Sequence, residues 1–106
     1  METKLRESDT PGCISVSLVV GQYSVANAII DELPSHWWVS RVFVKQGYRR
    51  RGFGSRCLKR AIELVRKQNA KPIIVMPGGY DIPFEVQQSF YRHHGFMGDE
   101  EMKLVE

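Results

Sequence analysis

At 106 residues, 42% of them hydrophobic and 25% charged, the chain can build one small core and has none of the composition of a disordered, collagenous or disulfide-framed protein. No apolar run approaches the length of a bilayer span, and the N-terminus lacks the basic-then-apolar order of a signal peptide, so the default expectation is a cytoplasmic protein with no membrane partner. The net charge is only +3, yet Arg49, Arg50, Arg51, Arg56, Lys59 and Arg60 crowd together, which calls for a polyanionic partner at that point of the chain.

Residues 1–12 are polar, end in Thr10-Pro11-Gly12, and read as a loose arm or a frayed first strand. From Cys13 to Val20 the apolar Ile14, Val16, Leu18 and Val20 alternate with Ser15 and Ser17; Gly21-Gln22 breaks the run and Tyr23 to Ile30 resumes it, predicting a β-hairpin. Asp31 to Ser35 is a turn. His36 to Val44 follows as a third strand, and simple alternation puts His36, Trp38, Ser40, Val42 and Val44 on one face. Leu58, Ala61, Ile62 and Val65 then recur at helical spacing, giving an amphipathic helix from about Gly52 to Asn69. Pro72 to Met76 is a short apolar run expected as a buried parallel strand reached by a right-handed crossover. Pro83 opens a second helix that stops at Gly95, and Leu104-Val105 supplies a short closing strand. The expected class is α/β: one domain over residues 1–106, a mixed sheet with an antiparallel N-terminal hairpin, a central β-loop-α-β unit and a C-terminal helix-strand. Cys13 and Cys57 lie far apart and outside any C-x-x-C context, so reduced thiols are expected, and no His pair has the spacing of a metal site.

The stretch from Val42 to Ser55 passes from an apolar strand through a basic, glycine-bearing turn into the helix. A helix leaves its first backbone N–H groups without intrahelical partners, and its dipole adds partial positive charge there, so such a turn is suited to hold phosphate. Gly52 and Gly54 let the backbone approach, and Arg49, Arg50 and Arg51 add fixed charge. Two other phosphate loops are excluded by residue identity. Gly47 and Gly52 have the gap of a Walker A loop, but Phe53-Gly54 stands where Lys-(Ser/Thr) is needed; Cys57 stands where a dinucleotide fingerprint needs its third glycine.

Arg49-Arg50-Arg51-Gly52-Phe53-Gly54 resembles the (Arg/Gln)-x-x-Gly-x-(Gly/Ala) signature of the GCN5-related N-acetyltransferase (GNAT) family, and Phe90-Tyr91-Arg92-His93-His94-Gly95-Phe96 is similar to that family's aromatic-Tyr-x-x-x-Gly-Phe ending. The resemblance runs from about Ser35 to the C-terminus. It implies acetyl-CoA as cosubstrate and N-acetylation of a primary amine. It places the pyrophosphate on the backbone of Arg51, Gly52, Phe53, Gly54 and Ser55, with Arg49, Arg50 and Arg51 near the remaining phosphate. Val42 would polarise the thioester carbonyl through its amide, Val44 would hold the pantetheine arm between splayed strands, and Tyr91 would be the general acid. Many members carry a glutamate base four residues before the position of Val42; here that residue is Trp38, with no carboxylate nearby in sequence, which leaves His36, Ser40, His93, His94 or a water-mediated path.

Family members usually begin with a strand and two helices that wall the acceptor side. Only a dozen polar residues stand before the first hairpin here, so an open acceptor site is expected, which favours a protein lysine or N-terminus over a small metabolite. Trp37, Trp38 and Tyr80 are the candidate acceptor platform, with hairpin and core packing as the alternative. Two rival functions stay open: a non-catalytic acyl-CoA-binding regulatory module, motivated by the missing glutamate, and, as the weaker candidate, a small basic nucleic-acid-binding domain built on the arginine cluster. Oligomeric state is open, with a homodimer allowed.

Overall fold

The computed structural model describes residues 2–79 and 81–106, and every statement of absence below concerns these residues. Seven strands form one sheet in the order β1-β2-β3-β4-β5-β7-β6. Its N-terminal half is an antiparallel meander of β1 (Thr3–Thr10), β2 (Cys13–Val20), β3 (Tyr23–Glu32) and β4 (Trp37–Val44). Helix α1 (Phe53–Gln68) carries the chain across to β5 (Ile73–Val75), which pairs in parallel with the start of β4. After α2 (Phe84–His93), the short hairpin β6 (Phe96–Gly98) and β7 (Met102–Leu104) closes the sheet, with β7 inserted next to β5.

The expected α/β class and the order of the central elements match this architecture. Of the two readings of residues 1–12, a loose arm or a frayed first strand, the structure has the strand, paired and not frayed. Thr3 to Thr10 pairs with β2 along its full length, from Thr3 opposite Val20 to Thr10 opposite Cys13. Its inward side is tied to α1: Glu7 pairs with Arg60, Thr3 Oγ1 accepts from Arg56 at 2.9 Å, and Asp9 Oδ1 accepts from Gln68 at 2.8 Å. A strand held by polar residues reaching to a helix has no hydrophobic alternation to betray it. The expected closing strand at Leu104-Val105 is likewise a hairpin, of which only the second strand contains Leu104.

Inward-facing Ile14, Val16 and Leu18 of β2 and Ala28 and Ile30 of β3 are fully buried beneath Leu58, Ala61 and Val65 of α1. Helix α2 lies against the same side of the sheet, since its Phe90 and the His94 that follows its last residue reach the first turn of α1 at Gly54 and Ser55. Both helices therefore form a single layer, and no described helix covers the opposite face. No helix is long and apolar enough to cross a membrane.

One irregularity in β4 resets the geometry of the site. Ile30 pairs with Val39 and Ile29 with Arg41, so Ser40 is an extra residue, a β-bulge. The bulge shifts the alternation: Trp37 and Val39 before it, and Val42 and Val44 after it, share the helix-facing side. The expectation that His36, Trp38 and Ser40 share a face with Val42 and Val44 is corrected accordingly. Trp37 is fully buried and donates its Nε1–H to Asn69 Oδ1 at 2.7 Å, which removes it from any acceptor platform. Trp38 turns to the outer face, and Tyr80 lies outside the described residues.

Candidate active site

The ladder between β4 and β5 contains only Trp37 with Ile73 and Trp38 with Ile74. Beyond this point the two parallel strands diverge and leave a wedge. The direction of the β4 backbone inside it follows from strand geometry. Lys45 N donates to Val25 O at 2.8 Å, and in an antiparallel ladder such groups alternate sides, so Arg41, Phe43 and Lys45 address β3 while Val42 and Val44 address the wedge. Consistently, the Val44 carbonyl accepts from Arg49 Nε at 3.1 Å. Val42 and Val44 thus present main-chain donors and acceptors along one side of a gap that β5 does not fill.

The wedge opens into a cavity of about 650 Å³ whose wall is mostly apolar. Val42, Phe43 and Val44 line one side, Gly52, Phe53, Gly54 and Ser55 the end, and Val86, Phe90 and Tyr91 of α2 the other side. At that end α1 begins without a capping side chain: Gly52 occupies the N-cap position at φ 77°, and no acidic residue lies in the first turn. Arg56 N is the first amide to bond back within the helix, to Gly52 O at 3.1 Å, so the amides of Phe53, Gly54 and Ser55 are the helix's orphan donors. Gly52 meets the positive φ, and Gly54 the crowding: a Cβ there would stand 3.1 Å from Val44 Cγ2 and 3.7 Å from Phe90 Cζ.

The arginines divide their work. Arg49 spans the cavity mouth, bonding Asp81 through Nη1 at 3.2 Å and Nη2 at 3.0 Å, and its guanidinium holds the Asp81 carboxyl below the usual range. Arg50 lines the cavity at φ 65°, and Arg51 lies over the Tyr48 ring, 5.5 Å from its centre. Arg56 and Arg60 are engaged by β1. The charge cluster is therefore dispersed over several partners instead of forming one basic plate, which weakens the nucleic-acid reading.

Tyr91 is 6% exposed, lines the cavity, and packs edge-on against Phe90 and Phe96 with ring centres 5.2 Å and 5.5 Å away. His94, behind it, bonds Ser55 Oγ at 2.9 Å; burial first, then the nearby His93 and Lys59 charges, pull its pKa below the ordinary histidine value. No carboxylate stands near Trp38 along the β4 sequence, but one lies across the ladder from it. Asp31 on β3 is the cross-strand partner of Trp38 and accepts the hydroxyl of the bulged Ser40. The same carboxylate raises the pKa of the Cys13 thiol, its hydrogen bond being the largest cause. Cross-strand register is the signal that would find Asp31, and it depends on the bulge. Both cysteines are free, Cys57 buried with its pKa pushed up to about 11, and no group of His, Cys, Asp and Glu is arranged to hold a metal.

Residues 6–97 match the family described as the acetyltransferase (GNAT) domain, and the chain belongs to that family. Among solved structures it is similar to the PaiA N-acetyltransferase of Thermoplasma acidophilum, crystallised with coenzyme A, at 15% identity and TM-score 0.74, over 90% of this chain and 62% of that one. A GNAT-family acetyltransferase of Staphylococcus aureus is 24% identical with TM-score 0.68, over 81% of this chain and 53% of that one. A GNAT-family protein of Desulfovibrio desulfuricans, 12% identical with TM-score 0.77, matches over 96% of both chains. The chain thus spans about three fifths and about half of the first two, but nearly all of the third. No curated protein sequence is similar enough to count as a relative.

Proposed function

We propose that this protein is an N-acetyltransferase that moves the acetyl group of acetyl-CoA to a primary amine on a protein, a lysine side chain or an N-terminus. The observation that carries the reading is the wedge between β4 and β5 ending on the uncapped start of α1. An apolar slot with main-chain groups along one side and unpaired helix amides at its end suits an extended amide-bearing arm that terminates in phosphate. The amides of Phe53 to Ser55 take the pyrophosphate, with Arg50 and Arg51 close by, and Val44 holds the arm. The Arg49–Asp81 pair spans the mouth. Acetyl-CoA supplies the activated acyl group as a thioester.

Val42 N–H donates to the carbonyl oxygen as negative charge develops on it, an arrangement that costs no reorganisation in a fixed strand. The neutral amine attacks the carbonyl carbon, a C–N bond forms, and the C–S bond breaks. Tyr91 gives its phenolic proton to the departing thiolate. The proton lost by the amine passes through Ser40 or a water to Asp31, the carboxylate that takes the part of the missing strand glutamate. The presence of Asp31 also weighs against a purely cofactor-binding module.

Purified protein incubated with acetyl-CoA and lysine peptides, followed by mass spectrometry, tests this. The wild type should add acetyl groups. Tyr91→Phe and Asp31→Asn should each lower kcat/KM by about 10²-fold or more while acetyl-CoA affinity changes less than about threefold. Cofactor binding without transfer to any amine would favour the regulatory module instead.

A further inference from the structure

The face of the sheet turned away from both helices has a charge pattern of its own. Arg6, Ser17, Asn27 and Phe43 stand in one cross-strand row, and with strands spaced about 4.8 Å the row is about 14 Å long. Arg41 lies on the same face, two residues before Phe43, with its guanidinium carbon 4.7 Å from the centre of that ring. Phe43 also lines the cavity, so the guanidinium packs on a residue that borders the wedge. Two buried polar atoms here lack partners among the described residues: the Arg41 Nε donor and the Asn27 Oδ1 acceptor.

Cations dominate the face. Arg6 and Arg41 point outward with no ion-pair partner among the described residues, whereas the inward Glu7 of the same β1 strand is paired with α1. The one outward carboxylate of β1–β4 is Asp31, already bonded to Ser40. An unpaired guanidinium that is half-buried has lost hydration without a counter-charge, and a carboxylate is the ligand that restores both charge and hydrogen bonds.

We propose that this face docks the acceptor, and that the acceptor is an acidic protein segment: a carboxylate beside the reacting amine pairs with the Arg41 guanidinium, and a further carboxylate reaches Arg6. The inference rests on the transferase reading and narrows its substrate. A small metabolite would reach Arg41 alone, whereas the row is the span of about four extended residues. Asp31, at the bulge, faces the amine, so opposite charges on the segment meet opposite charges on the protein.

Calorimetry on the CoA-loaded protein with two synthetic peptides decides the matter, each with one lysine, flanked by Glu in one and by Gln in the other. The Glu peptide should bind about tenfold or more tightly, with the advantage shrinking as salt is added. Arg41→Gln should cut the advantage below about threefold, Arg6→Gln should reduce it in part, and Arg41→Lys should keep some of it, which separates lost charge from lost fold. Equal affinities in the wild type, or an advantage that Arg41→Gln leaves intact, overturn the inference. Acetylation of both peptides is read in parallel by mass spectrometry: equal acetylation alongside equal affinity leaves the transferase reading standing while this inference falls, and acetylation of neither overturns the transferase reading itself.

Discussion

His94 shows how one residue couples the two helices to solution conditions. It sits between Phe90, with ring centres 4.9 Å apart, and Ser55, whose hydroxyl it meets. Burial lowers its folded-state pKa below the ordinary value of 6.5. The unfolded chain therefore takes up this proton first as pH falls, and the stability held by neutral His94 is present above the ordinary value and lost below it. Thermal melts at pH 7.5 and 5.5 should show a smaller acid-side drop in Tm for His94→Gln than for the wild type. An identical drop in both would assign the acid sensitivity elsewhere. Asp31 makes a different point at this scale: nothing in the local sequence sets it apart, because its meaning comes from Trp38 and Ser40 on the neighbouring strand.

At the scale of elements, β1 is the clearest test of whether polar sequence can conceal a structural strand. Leu5 packs partly buried against the core while Lys4 is exposed on the outer face. Leu5→Ala should cost roughly 1–2 kcal/mol, a fall in Tm of about 5 °C or more, and Lys4→Ala less than about 0.5 kcal/mol. A loose arm would tolerate both. The hairpin of β2 and β3 was legible because alternation holds from Ile14 to Leu18 and from Ala26 to Ile30, and α1 because its apolar stripe repeats with helical spacing. The phase slip at Ser40 was not, since V-S-R-V is compatible with either register and only the pairing of Ile29 with Arg41 and Ile30 with Val39 decides it. That slip puts Trp37 in the core on the same side as Val42 and Val44 and turns Trp38 outward, while Arg41 faces outward in either phase. Strands of three residues such as β6 are too short to show a period, and the partner β7 provides their evidence.

For the whole molecule, a single helical layer on one side of the sheet concentrates the site. The core, the wedge and the start of α1 all lie on that side, and the splay of β4 from β5 joins it to the open face. The glycine loop and the tyrosine motif could be singled out because each is local in sequence, and the fold brings both to one cavity; the face proposed for the acceptor is assembled from β1 to β4 and became visible only with the ladder.

The most direct test of this account is calorimetric titration of acetyl-CoA into the wild type and into Gly52→Asp. Aspartate is among the residues that tolerate the left-handed backbone at position 52, while its charge would stand at the helix start proposed to hold pyrophosphate. The wild type should bind at one site per chain, and the variant should bind about tenfold or more weakly while its Tm without ligand stays within a few degrees. Equal affinity in the two proteins, or no binding to the wild type, would contradict it.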